Sequence, residues 1–132
     1  MKNIVRRVLV ATAILLDCAG AYAGDFDGSK RLLCATIEAH ACDPGLPCAR
    51  ALPADLGAPK FLSIDFVKRT VAGPSRSSPI QFMEKGQTQV VMQGTELGVA
   101  WTLVLDTRDG TMTASLVNRN NAVLVFGNCT AM

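Results

Sequence analysis

The sequence predicts an all-β domain: an antiparallel meander forming a small barrel of about eight strands, or a two-sheet sandwich, with two disulfides. Three observations carry this expectation. Residues 87–126 hold four short strand-like runs with turn residues between them, the spacing of successive hairpins. Side chains alternate at period two along residues 33–42, and Val99, Trp101, Leu103 and Leu105 share one parity further on. Four cysteines follow a stretch that reads as an export signal, so they meet an oxidising compartment in which thiols pair.

That signal is the first element. Lys2, Arg6 and Arg7 make a positive start, residues 8–16 are a small apolar run, and Ala21 and Ala23 stand at the −3 and −1 positions of a peptidase site. A membrane span needs roughly twenty apolar residues, so the run is too short to be one. Residues 1–23 therefore read as a cleaved signal peptide. Residues 24–132 read as a single β-rich domain, periplasmic or secreted after cleavage following Ala23. The rival is a lipoprotein box at Leu15-Leu16-Asp17-Cys18, in which Cys18 would be acylated; Asp17 fits such a box badly.

Residues 24–31 are polar and glycine-containing, a loose lead-in. Residues 33–42 alternate as a strand does, although Leu32, Leu33, Thr36, Ile37 and His40 also fall near helical spacing, so both readings stand with strand favoured. Asp43-Pro44-Gly45 is turn chemistry, because Pro presets φ, Gly allows positive φ and Asp bonds its own backbone. Residues 53–59 form a loop, 61–67 a strand, and 70–72 a short return after Lys68-Arg69. Residues 73–79, with Gly73, Pro74 and Pro79, look like the most flexible segment and the best protease site. Strands then follow at 87–93, 99–105, 111–117 and 122–126, with turns at 94–98, 106–110 and 118–121. The last run is apolar at every position, as a strand covered on both faces would be.

Charge excludes one class of partner. Taking the leader's three basic residues and one acid from 13 and 11 leaves ten of each, a formal net charge of zero. Nucleic-acid binding rests on a surplus of Lys and Arg, and one Trp with five Phe makes no evident stacking platform. No nucleic-acid partner and no membrane span are therefore expected.

Cysteine geometry orders the disulfides. Cys42 and Cys48 flank a short turn and can meet. A Cys34–Cys42 bridge would have to cross roughly 26 Å of extended strand. Cys34 is left for Cys129, which ties the first strand to the end of the last. Cys34, His40, Cys42 and Cys48 lie close enough in sequence to suggest a metal site, but zinc favours C-x2-C pairs and the compartment favours disulfides. Met83, Met92 and Met112 are soft copper ligands in principle and core gap-fillers by habit. No metal and no cofactor is expected.

Catalytic chemistry finds little support. His40 is the only histidine, and no G-x-S-x-G elbow or phosphate-binding glycine motif occurs. Asp65, Glu84, Glu96, Asp106 and Asp109 could converge as paired carboxylates, although most of them fall at turns or strand ends. Trp101, among apolar neighbours, is expected in the core.

Several stretches together carry a resemblance: Phe26-Asp27-Gly28-Ser29-Lys30 before Leu33-Cys34, the Cys42 to Cys48 loop, Pro59-Lys60-Phe61-Leu62 with Ile64-Asp65-Phe66, Gly98 with Trp101 and Leu103, and Phe126-Gly127 with Cys129-Thr130. They resemble a family of small exported proteins of Gram-negative bacteria, of unknown function. The resemblance implies a periplasmic setting and four structural cysteines, and it transfers no catalytic residue. Two functional classes follow. One is a non-catalytic binding or interaction protein for a small apolar ligand or another protein; the other is a small hydrolase using converging carboxylates.

Overall fold

The computed structural model describes residues 24–132, so the leader, its cleavage site and Cys18 lie outside the described residues. The described chain is all-β. Its strands are β1 (Leu32–Cys42), β2 (Ala49–Ala51), β3 (Phe61–Asp65), β4 (Thr70–Ala72), β5 (Ser77–Pro79), β6 (Phe82–Lys85), β7 (Gln89–Glu96), β8 (Val99–Asp106), β9 (Thr111–Val117) and β10 (Ala122–Ala131). One 3-10 turn, Pro53–Leu56, follows β2.

All pairings are antiparallel and lie in one sheet, ordered β5-β4-β3-β1-β10-β9-β8-β7-β6, with β2 beside β1. The two ends of that order are two parts of one stretch of chain, because only Ile80 and Gln81 separate β5 from β6. Those two residues bond to both neighbours: Ile80 N–H donates to Arg69 O at 2.8 Å and Gln81 N–H to Gln93 O at 2.9 Å. The sheet is therefore rolled on itself with residues 77–85 as its seam. Counting that bent stretch once gives eight strands around the roll, a small barrel rather than a sandwich.

Residues 33–42 are strand throughout, which removes the helical reading. A bulge between Thr36 and Glu38 interrupts the period, so Ile37 and Glu38 both face outward while Cys34 and Ala39 are fully buried. Cys34 pairs in register with Cys129 and is bonded to it; Cys42 is bonded to Cys48. Four expectations need correction. The apolar run 122–126 is covered on one face only, since Leu124 and Phe126 are exposed on the other. Residues 73–79 are not a free loop, since they contain β5 and half the seam. Residues 94–96 continue β7, and residues 127–131 continue β10.

The barrel is packed at one end. Leu32, Ile64, Phe66, Val90, Met92, Leu105 and Met112 are buried there, and each large side chain contributes about 1.5–3 kcal/mol by leaving water. The lead-in is ordered over this end. Phe26 packs against the core and the bare Cα of Gly110, where a Cβ would strike its ring. Lys85 reaches up from β6 to donate to Gly28 O at 2.8 Å, with its ammonium 5.7 Å from the centroid of Phe66.

Candidate functional site

The other end of the barrel stays open. Alternation places Trp101, Leu103, Leu116, Val125, Leu62, Val71 and Ser78 on inward faces, and together they line a cavity of about 610 Å³. Its floor is the packed core at Leu103, Met112 and Val125, each 2% exposed. Its rim consists of Leu56 to Pro59 after the 3-10 turn, Gly73 to Arg76 between β4 and β5, and Glu96 and Leu97 at the β7–β8 turn. Arg76 Nε and Glu96 Oε1 stand 3.7 Å apart across this rim, the ion pair linking the seam to the β7–β8 hairpin. Such a half-exposed pair contributes at most about 1 kcal/mol, so it can open readily.

The polar groups of the wall are few. Thr36 Oγ1 donates to Pro59 O at 2.9 Å, which pins the rim segment to β1. Trp101 Nε1–H donates to Ser78 Oγ at 2.8 Å, which fixes the indole across the inside of the seam. Gly94 makes this possible: a Cβ there would run into the indole and sit 2.6 Å from Pro79 O. Trp101 is thus packed against the core, as its parity predicts, but it is half-buried and forms part of the cavity wall.

Of the five carboxylates singled out from the sequence, Asp106 and Asp109 share the β8–β9 turn, whereas Glu96 stands apart from them. Glu96 is at the mouth, whereas Asp106 is at the far end of the same hairpin, seven residues along β8 from Glu96's partner Val99. That is about 23 Å of strand, against roughly 5–10 Å between the carboxyls of a glycosidase. Asp65 is buried at the closed end, where it accepts Lys68 N–H at 2.9 Å and faces Arg31 at 3.4 Å. Glu84 points outward from β6. Asp109 caps its own turn by accepting the Thr111 hydroxyl and then the Thr111 N–H at 2.9 Å, which together hold its carboxyl below the usual range. His40 lies on the outer face, where its Nε2–H donates to Glu38 Oε1 at 2.8 Å while Arg50 approaches Oε2 at 3.2 Å. The histidine bond, with Arg50 adding to it, holds the Glu38 carboxyl low.

Asp106 gives a pH prediction. Hydrogen bonds from the Arg108 side chain and then its backbone N–H lower its carboxyl from 3.8 to about 2. A depressed carboxylate stabilises the fold above its unfolded pKa and loses that contribution as pH falls through the folded one. The window is therefore about pH 4 down to about pH 2. In an NMR titration the Asp106 carboxyl carbon should move only near the bottom of that window; a midpoint close to 4 would remove the fork to Arg108.

Among the described residues no group of three or more His, Cys, Asp and Glu is placed to hold a metal ion, and Cys34, Cys42, Cys48 and Cys129 are all in disulfides. Met92 and Met112 are buried in the core, and Met83 packs against it. Also among the described residues, no helix is long and apolar enough to cross a membrane. Ser78, Arg76 and the rim at Leu56 to Pro59 were not legible as site residues, because each lies in a Pro- and Gly-punctuated segment that reads as loop. The only trace was the shared parity of Ser78 and Ile80, both buried. Comparison of the chain with protein-family models, with curated proteins and with solved structures gave no match.

Proposed function

We propose that this is an exported, non-catalytic binding protein, periplasmic or secreted, whose barrel takes a small, mainly apolar ligand through its open end. One observation carries the reading: a cavity of about 610 Å³, within the 300–1,000 Å³ range of ligand sites, walled by Leu62, Val71, Leu103, Leu116, Val125 and Trp101 and rimmed by charge. The rim pair Arg76–Glu96 admits ligand at small cost. Glu96, the carboxylate at the mouth, is far along β8 from Asp106, and Asp106 and Asp109 are engaged by Arg108 and Thr111, which argues against the hydrolase alternative. A second reading, that the protein caps another protein, has its own support: Ile37, Phe61, Leu124 and Phe126 are exposed on the outer faces of neighbouring β1, β3 and β10.

The test is titration with 1-aminoanthracene, a neutral apolar fluorophore, following its emission and that of the single Trp101. Saturable one-to-one binding is expected. Ala114→Phe, which fills the cavity from a site 8% exposed, should weaken it by about tenfold or more while the protein stays folded. No saturable binding by the wild-type chain would sink the ligand reading; unchanged binding by the filled variant would move the site outside the barrel.

A further inference from the structure

On the strand wall of the cavity, Ser78 carries a hydroxyl proton that no acceptor among the described residues receives. Ser78 lies on β5 with its side chain inward and is 5% exposed. Its oxygen accepts the Trp101 indole N–H at 2.8 Å. A hydroxyl has one proton and two lone pairs, so accepting from the indole leaves that proton to be given elsewhere. Among the described residues no acceptor receives it. Thr36, the other hydroxyl on the strand wall, has already spent its proton on Pro59 O. Ser78 Oγ already has one bond, so it is not an unsatisfied group, but an occupant that brings an acceptor can take its remaining proton in place of solvent.

Resting on the binding reading above, we propose that the ligand is a neutral apolar carbonyl compound, and that the Ser78 hydroxyl recognises its oxygen. The charges of the site are confined to the rim, where Arg76 and Glu96 already face each other, so the interior suits an uncharged body. The indole bond holds the Ser78 oxygen in place, which reduces the ordering cost of the contact. Ser78 is thus the residue that separates a carbonyl compound from a hydrocarbon of the same shape.

The experiment uses benzophenone and 1,1-diphenylethylene, which share a frame and differ by oxygen against a methylene group, each displacing 1-aminoanthracene. The wild-type protein should prefer benzophenone about tenfold, the order of one hydrogen bond to a buried donor. Ser78→Ala should lose the preference, the two compounds then binding with equal affinity whatever the change in that shared affinity when the Trp101 indole loses its acceptor. Should that variant not fold, infrared spectra of carbonyl-labelled benzophenone on the wild-type protein decide: the stretch should lie below its position in hydrocarbon solvent. Equal affinities in the wild type, a preference that survives Ser78→Ala, or an unshifted stretch would overturn the role of Ser78 and leave the binding reading standing. Failure of both compounds, and of the fluorophore, to bind would overturn the binding reading itself.

Discussion

Replacing Cys34 and Cys129 together by alanine is expected to destabilise the barrel by about 4–5 kcal/mol, while replacing Cys42 and Cys48 costs about 2. The difference follows from the loops closed. The first bond spans 95 residues and constrains nearly the whole unfolded chain; the second spans six and constrains a turn. The long bond also joins β1 to β10, the pairing through which the N- and C-terminal strands complete the roll. Both of its sulfurs are in the core, with Cys34 wholly buried. A loss of this size is about a quarter or more of the total for a typical small domain. Guanidinium unfolding of the two double variants decides it. Equal midpoints would mean that the terminal strands hold together without the bond.

The C-terminal hairpins were legible because their signals agree. From 99 to 126, alternation, turn residues and loop length all point to the same strands, and those strands are where the structure has them. The two strand ends that moved furthest did so at glycines. Gly94 reads as the start of a turn and Gly127 as the end of a strand, yet both lie inside strands, where another group approaches too closely for a Cβ. The true β7–β8 turn is Leu97-Gly98, with Leu97 at φ 49°. No local pattern marks a residue that is glycine for a neighbour distant in sequence.

The seam was hidden for a related reason. Pro74 and Pro79 speak for a loop, and a three-residue strand has too few positions to show a period. Pro79 is tolerated because the strand turns there from one partner to the other, where a missing N–H breaks no ladder. With the seam unseen, the cavity mouth was unseen too, since Arg76 and Ser78 belong to it. The Cys34–Cys129 bond, argued from the reach of an extended strand, was the one long-range tie that could be read from the sequence.

Gly127→Ala should cost about 3 kcal/mol or more, although it adds a single methyl group to a strand. Gly127 faces the barrel interior opposite Thr36, where β1 bulges, and the bulge tips the carbonyl of Ala35 over its Cα. A Cβ would fall well inside contact distance of that oxygen, and the oxygen is main chain, so no rotamer change relieves it. Overpacking of a core ordinarily costs about 1–3 kcal/mol when side chains can give way. Here the strands must part instead, at the pairing that closes the barrel. The same methyl would stand 3.1 Å from Met112 Cε, a flexible end that can move aside. Met112→Ala in the same background should therefore restore nothing. Urea unfolding of the single and double variants separates the two sources of crowding. Recovery on trimming Met112 would assign the crowding to the core; a cost under about 1 kcal/mol would show that β1 can lose its bulge without loss of stability.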